Sequence, residues 1–356
     1  MDTIWARRST LGSTNDNFDE DDTVRQCQEL VNSPELVDYK YVAEGRANIV
    51  FSIWERGGAE AVKGRFERTL LRVPKATTGV TPCDYESLQA FQQKVVEESI
   101  GRQHLVPQIL ISISADIADL LNAEWARGKS KSSKHYSNSS VIQAGYAMLV
   151  EDMSASLGYK VLEFKPKWLA QSPIAPAGSK RCRTCAREAY RNSQLMAEGV
   201  AVSVPICPLG LVNEDRAIIQ HTIERLAPEW TVLDHTRLLD AFEQSGILRK
   251  IREIQTTGDS DNALLENPSS VGFGLAMTMR DCSCYVRMPL DTDKNVEVKL
   301  ADTDKKNWEE KQIYWQKTHW NLVDNGWYIC TEQVDPPVVT ECLLNQHCLD
   351  GIGDSK

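Results

Sequence analysis

The chain has no run approaching the eighteen or so apolar residues that a membrane-spanning helix needs, and no apolar signal-peptide core follows Met1. The first absence argues against a helical membrane protein; the second leads to the expectation of no secretory leader. Cationic side chains are outnumbered, 40 Lys and Arg against 50 Asp and Glu, for a formal net charge of -10. A sequence pI near 5.3 argues against a general nucleic-acid binder, while leaving room for a local basic patch. The ten cysteines are irregularly spaced and read as mostly reduced thiols of an intracellular protein. No internal repeat is visible. What is present is 356 residues of ordinary composition, 42 % hydrophobic and 25 % charged, enough for one large or two ordinary soluble cores.

Acidic residues are also missing locally. From Phe164 to Arg187 there is no Asp or Glu, and six cations stand there: Lys165, Lys167, Lys180, Arg181, Arg183 and Arg187. A second acid-free stretch, Trp125 to Val150, carries Arg127, Lys129, Lys131 and Lys134. Concentrating positive charge carries a self-repulsion cost that an anionic ligand offsets. Apart from Trp168, no aromatics interleave the cations, which argues against single-strand nucleic acid. Local concentration inside an acidic chain fits a small polyanion better than DNA or RNA.

Residues 1–38 read as a largely disordered arm, polar and acidic over 9–22, with structure expected to begin near Tyr39. Tyr39 to Glu44, Asn48 to Glu55 and Thr69 to Pro74 predict three strands. Asp84 to Glu98 and Ala115 to Ala126 predict helices, and Lys129 to Ser140 a loop. Further strands are expected at Tyr146 to Glu151, Lys160 to Lys165, Ala276 to Met288 and Val296 to Asp302. Further helices are expected at Glu214 to Leu226, Thr236 to Gln255 and Asn307 to Leu322. The order predicts an α+β protein of two lobes, 39–150 and 151–348, with a frayed tail at 349–356.

Several short motifs bear chemistry. In Glu44-Gly45-Arg46-Ala47-Asn48 a glycine between two strands lets backbone amides approach a phosphate, although the motif taken alone is better read as an ordinary hairpin turn. Arg72 lies inside an apolar strand, where a cation meets nucleotide phosphates in kinases or faces solvent on an edge. Lys165-Pro166-Lys167 displays two cations at a geometry that the proline restricts. Cys182-x-x-Cys185 has metal-ligand spacing, but no second CxxC or HxxxH pair lies at a standard distance. Cys282, Cys284, Cys330, Cys342, His347 and Cys348 could complete such a site only through tertiary structure, so structural thiols are expected. Asp281 and Asp302, on neighbouring strand-like segments, could converge on one metal or one proton, or serve as turn formers.

In succession these motifs resemble the inositol-pentakisphosphate 2-kinase family, in a fungal-type form, over roughly residues 39 to 316: Glu44-Gly45-x-Ala47-Asn48-x-Val50, Leu71-Arg72-Val73, Glu163-x-Lys165-Pro166-Lys167, Cys182-Arg183-x-Cys185, Asp281-Cys282-Ser283 and Leu300-Ala301-Asp302-x-Asp304-x-Lys306. The resemblance implies a two-lobed inositol phosphate kinase fold related to protein kinases. It implies ATP with Mg²⁺ as phosphoryl donor and inositol 1,3,4,5,6-pentakisphosphate as acceptor at the 2-hydroxyl, giving the hexakisphosphate (phytate). By position, Gly45, Arg46, Ala47, Asn48 and Arg72 would meet the nucleotide phosphates, and Glu151, Asp152 and Glu163 the rest of the nucleotide. Asp281 and Lys167 would be catalytic and Asp302 the metal carboxylate. Lys165, Lys167, Arg181, Arg183, Lys306 and Tyr314 would contact the inositol phosphate. A monomer acting on a small molecule, with no membrane and no strong nucleic-acid partner, is expected in the nucleus or cytoplasm. The alternative is a non-catalytic inositol phosphate or RNA-binding module on the same fold. A protein kinase is disfavoured, because the chain has no His-Arg-Asp loop and no Asp-Phe-Gly triplet.

Overall fold

Branched and aromatic residues alternate with polar ones through much of 37–74, and this period-two pattern produces the first three strands. They are β1 (Val37–Glu44), β2 (Asn48–Glu55) and β3 (Thr69–Pro74). After the two-residue β4 (Ala76–Thr77) come β5 (Gln108–Ile113), β6 (Ser140–Val141) and β7 (Gly145–Glu151). The structure is a computed structural model that describes residues 4–5, 20–45, 47–57, 64–77, 84–129, 140–154, 157–260 and 262–348. The chain divides into two units: Met1–Ala90 with Val106–Ser154, and Phe91–Leu105 with Ala155–Lys356. Phe91–Leu105 therefore belongs with the second unit, an exchange that a contiguous reading of the sequence does not contain.

In the first unit a five-stranded antiparallel sheet runs in the order β1-β2-β3-β7-β5, and β4 pairs with β6. Ile49, Phe51, Ile53, Leu71, Val73, Ile109 and Ile111 fill one face, packed with Ile117 and Leu121. Burial of each such side chain contributes roughly 1.5–3 kcal/mol. The amino-terminal arm departs from expectation. Residues 6–19 lie outside the described part, but α1 (Glu20–Val31) is a helix and Ile4 and Trp5 are buried. α1 covers β5, an edge of the sheet, with side-chain amides. Gln28 donates to Ser112 O and accepts from Ser112 N–H (2.5 and 2.6 Å), and Asn32 accepts from Ser114 N–H at 2.7 Å. Without these partners the outer groups of β5 would be open to pairing with another chain. The unit is completed by α2 (Tyr85–Phe91) and α3 (Ala115–Lys129). Past Phe91 the expected helix continues as a π turn, Gln92–Val96, and a last turn, Glu97–Ile100.

In the second unit β8 (Tyr159–Phe164), β9 (Ser283–Pro289) and β10 (Glu297–Ala301) form an antiparallel sheet in the order β10-β9-β8. Its helices of nine residues or more, among the described residues, are α4 (Arg183–Ala197), α5 (Arg216–Leu226), α6 (Val232–Ser245), α7 (Ile247–Thr257), α8 (Val271–Met279) and α9 (Trp308–Asp324). The helix expected over Thr236 to Gln255 is two, because Gly246 takes a left-handed conformation (φ 62°) between them. The strand expected from Ala276 is instead the end of α8, and β9 begins only at Ser283. Val271 to Met279 is apolar all round, so periodicity could not distinguish helix from strand there. α7 and α8 meet through glycines: a Cβ on Gly258 would lie 2.3 Å from the Gly272 carbonyl oxygen. The expected frayed tail, 349–356, lies outside the described residues.

Candidate functional site

Strand register brings the second unit's chemistry together. Phe164 pairs with Cys284, and Ser283 with Ala301. The end of β8, the start of β9 and the end of β10 therefore share one edge of the sheet, with Lys165, Asp281 and Asp302 just beyond it. Lys165 Nζ donates to the Asp281 backbone carbonyl (2.5 Å) and lies 3.3 Å from its Oδ1 and 3.1 Å from Asp302 Oδ2. Lys306 Nζ meets Asp281 Oδ2 at 2.9 Å. One carboxylate thus sits between two ammonium groups, and a second shares one of them. Both carboxylates are about half exposed, 51 % for Asp281 and 46 % for Asp302.

The electrostatics follow from these contacts. Partial burial pushes the Asp281 carboxyl up, but Lys306 and Lys165 outweigh it and hold it below the ordinary carboxylate value. Burial likewise opposes the charge on Lys165, yet Asp302 and Asp281 leave its pKa raised. Lys167 behaves oppositely: burial lowers its pKa, and Asp281 offsets this only in part. Lys167 and Asp302 both have left-handed backbones, φ 59° and 56°. Such conformations cost of order 1–3 kcal/mol in a non-glycine residue and persist only where the surroundings enforce them.

Those surroundings include residues that motif reading passed over. Gln255, on α7, is buried; its Nε2 donates to Lys167 O (2.8 Å) and Met279 O (3.2 Å), and its Oε1 accepts from Leu169 N–H (2.7 Å). It is a polar residue on the buried face that holds Leu248 and Ile251, the signal by which it could have been noticed. Arg280, next to Asp281, is buried in an ion pair with Asp259 at 2.7 Å, and its guanidinium lies 3.6 Å from the centre of the Trp168 ring. Burial lowers the Arg280 pKa to about 10 despite Asp259. Thr303 donates to Gln92 Oε1 (2.8 Å), fixing the turn after Asp302.

The cationic run is divided by the fold. Arg181 was expected to meet substrate, but it is buried and its donors are consumed by Glu332 (2.7 Å), Thr340 Oγ1 (2.9 Å), Trp327 O and Val338 O. It is an internal tie between distant segments. Arg183 is also buried, 5.5 Å from the centre of the Trp168 ring, and burial lowers its pKa. Arg187 remains exposed and donates to the hydroxyl of Tyr314, itself 53 % exposed on α9, at 3.2 Å. Lys165, Lys167 and Lys306 thus stay partly open near Asp281, while Arg187 and Tyr314 pair in an exposed position. Glu163 is exposed on β8.

In the first unit the β1–β2 turn is closed by Gly45 N–H donating to Asn48 O at 2.8 Å. Arg46 lies outside the described residues. Ala47 O accepts from Lys75 N–H at 2.8 Å. Alternation along β3 puts Leu71 and Val73 in the core and Arg72 on the other face. With its amide oriented to satisfy both neighbours, Asn48 accepts from Arg72 Nη2 (2.7 Å) and donates to Tyr85 OH (2.7 Å). The Arg72 guanidinium lies 5.5 Å from the centre of the Tyr85 ring. Glu151 is buried in an ion pair with Arg68, so its carboxylate is not displayed as expected. Asp152 N–H donates to Arg68 O, and its carboxylate accepts from Ser154 N–H at 2.9 Å.

A strand-rich unit with a glycine turn and a positioned arginine, and a second unit with lysine-bracketed carboxylates at a sheet edge, define an α+β protein of kinase-like type. The profile of the inositol-pentakisphosphate 2-kinase family matches residues 41–319, and the chain belongs to that family. A curated relative, the inositol-pentakisphosphate 2-kinase of Yarrowia lipolytica (strain CLIB 122 / E 150), is 36 % identical over 172 residues, covering 47 % of this chain. The chain spans about half of that relative's length, 53 %.

Proposed function

We propose that the protein transfers the γ-phosphoryl group of ATP to the 2-hydroxyl of inositol 1,3,4,5,6-pentakisphosphate, giving the hexakisphosphate and ADP. The observation that carries this reading is the Asp281 carboxylate held between Lys165 and Lys306 with Asp302 beside it. A protein that only bound polyanions would gain nothing from two carboxylates among its cations.

Asp281, ionised through its lysines, accepts the proton of the attacking hydroxyl as the oxygen bonds to the γ-phosphorus and the bond to the β-phosphate oxygen breaks. The two lysines fix the carboxylate, so little reorganisation accompanies the transfer. Asp281 and Asp302 offer half-exposed hard oxygen donors, a set that fits Mg²⁺. Held by Asp302, the metal would neutralise charge on the phosphoryl group in transfer. Five substrate phosphates carry roughly -8 to -10 at neutral pH, which suits Lys165, Lys167, Lys306 and Arg187 as contacts. Arg72, with the Gly45–Asn48 turn, meets the nucleotide phosphates.

The test is incubation of the purified chain with ATP, Mg²⁺ and the pentakisphosphate, followed by anion-exchange separation. Hexakisphosphate and ADP in equal amounts are expected. Tight binding of the pentakisphosphate without product would leave a binding module instead.

A further inference from the structure

Asp302 follows the last residue of β10 and takes a left-handed backbone, φ 56°, which a residue other than glycine keeps only where neighbours enforce it. The next residue, Thr303, is buried. Its hydroxyl donates to Oε1 of Gln92, also buried, at 2.8 Å across 211 positions of the chain. A further tie comes from α8. The buried Thr278 hydroxyl lies 3.3 Å from Asp304 O, and Thr278 O accepts from the Asp281 N–H at 3.1 Å. The turn that displays Asp302 is therefore fixed at both Thr303 and Asp304.

Gln92 stands where the helix after Phe91 widens. It opens the π turn Gln92–Val96, and its carbonyl accepts from Glu97 N–H, one residue further on than in an α-helix. Gln92, Val96 and Ile100 are all buried at intervals of four. In an uninterrupted α-helix each such step overshoots one turn by about 40°. The wider turn takes up part of this drift, so a polar side chain shares the buried stripe of Val96 and Ile100. The same segment meets β10 again at its far end, where Leu105 pairs in parallel with Leu300. Phe91, Val96, Ile100, Leu105 and Leu300 lie in one apolar cluster. An apolar residue at 92 would serve packing alone. A buried amide has to be satisfied, and Thr303 supplies a donor.

We propose that Gln92 is a positioning residue: through Thr303 it holds the Asp302 carboxylate open beside Lys165 for the divalent cation, a role that rests on Asp302 as the metal carboxylate. Without the bond, Asp302 relaxes toward commoner backbone conformations, and its carboxylate leaves its place 3.1 Å from Lys165 Nζ. Asp281 keeps its own tie to Lys306 at 2.9 Å. Loss of the bond therefore lowers metal affinity first. Contacts to the anionic acceptor and to metal-free nucleotide stay largely as they were.

The test titrates Mn²⁺, a paramagnetic stand-in for Mg²⁺, into the full chain with a non-hydrolysable ATP analogue, reading free Mn²⁺ by electron paramagnetic resonance. Gln92→Met removes the acceptor and Thr303→Val the donor. Each should weaken Mn²⁺ binding about three- to tenfold, the equivalent of one lost neutral hydrogen bond. Thr303→Ser, which keeps the hydroxyl, should bind as the wild type does. Binding of the analogue in EDTA should be unchanged in all of them. The double variant, an apolar pair of similar shape, should recover stability in urea unfolding but not Mn²⁺ affinity. Should Gln92→Met be insoluble, Thr303→Val and Thr303→Ser decide. Asp302→Asn in the same titration separates two failures. If it loses Mn²⁺ while Gln92→Met and Thr303→Val bind normally, the positioning role alone is overturned. If it binds Mn²⁺ normally, the metal role of Asp302 falls and the positioning role with it. Mn²⁺ affinity that returns with stability in the double variant would reduce the pair to a packing contact and overturn the proposal.

Discussion

Lys165 and Lys167 stand two positions apart, yet their surroundings give them different work. Lys165 bridges Asp281 and Asp302, whereas Lys167 is half-buried with its pKa lowered by burial. Lys167→Ala should raise the acceptor KM while changing kcat and the ATP KM much less, since a lost charge-assisted contact is worth about 1.5–3 kcal/mol. Lys165→Ala should lower kcat as well, because it leaves both carboxylates without a shared cation. Steady-state kinetics in both substrates separates the two outcomes. The lowered pKa also has a sign. As pH rises, Lys167 loses its proton before Lys165, so acceptor KM should climb on the alkaline side at a pH below the ordinary lysine value, about 10.4. Lys167→Arg, which stays charged, should flatten that climb; an unchanged pH profile would remove Lys167 from the binding of the anion. Arg181 makes the contrast clear. Its alanine variant should lose about 3–5 kcal/mol of stability in urea unfolding, because Glu332 would be left buried and unpaired.

At the scale of elements, most strands and several helices were legible because their hydrophobic periods are clear. Lys165, Asp281 and Asp302 were legible because each stands at the end of a segment in a recognisable motif. The rest depended on pairings far apart in the chain. Nothing near Asp302 announces Gln92, and nothing near Lys167 announces Gln255. Arg181 and Lys167 both look like cations in an acid-free run; only burial separates them. The arm departs from expectation because α1 carries only a narrow apolar stripe, Val24, Cys27, Leu30 and Val31, which enters the first unit's core while Gln28 and Asn32 bond to the edge strand and the residues after it. The close approach of α7 and α8 yields a prediction of its own. Gly258→Ala should destabilise by about 1–3 kcal/mol, since its Cβ meets backbone that cannot rotate away. Denaturant unfolding checks this, and a neutral result would mean that the helices separate freely.

α6 begins with a capping box in which Thr231 and Asp234 satisfy each other's backbone donors, and Lys160 pairs with Asp234 at 2.5 Å. Although burial opposes it, Lys160 and Thr231 lower the Asp234 pKa to about 2. Since the folded value lies below the unfolded one, about 3.9, the stabilisation is complete above the unfolded value and is lost as pH falls toward about 2. Asp234→Ala should therefore cost about 1–2 kcal/mol at neutral pH. The gap from wild type should narrow in acid; a constant gap would assign the loss to packing alone.

Over the whole molecule, an acidic chain of net charge -10 keeps open cations near one sheet edge and uses others, such as Arg181 and Arg280, as internal ties. That selection, more than the count of basic residues, points to a compact polyanion and to transfer chemistry beside it. The central claim is that Asp281 takes the proton of the attacking hydroxyl. Single-turnover phosphoryl transfer to the pentakisphosphate by Asp281→Asn, with ATP binding measured on the same sample, tests it most directly. The variant should bind ATP nearly as the wild type does and transfer phosphoryl about a hundred- to ten-thousand-fold more slowly. Transfer at close to the wild-type rate would contradict the assignment.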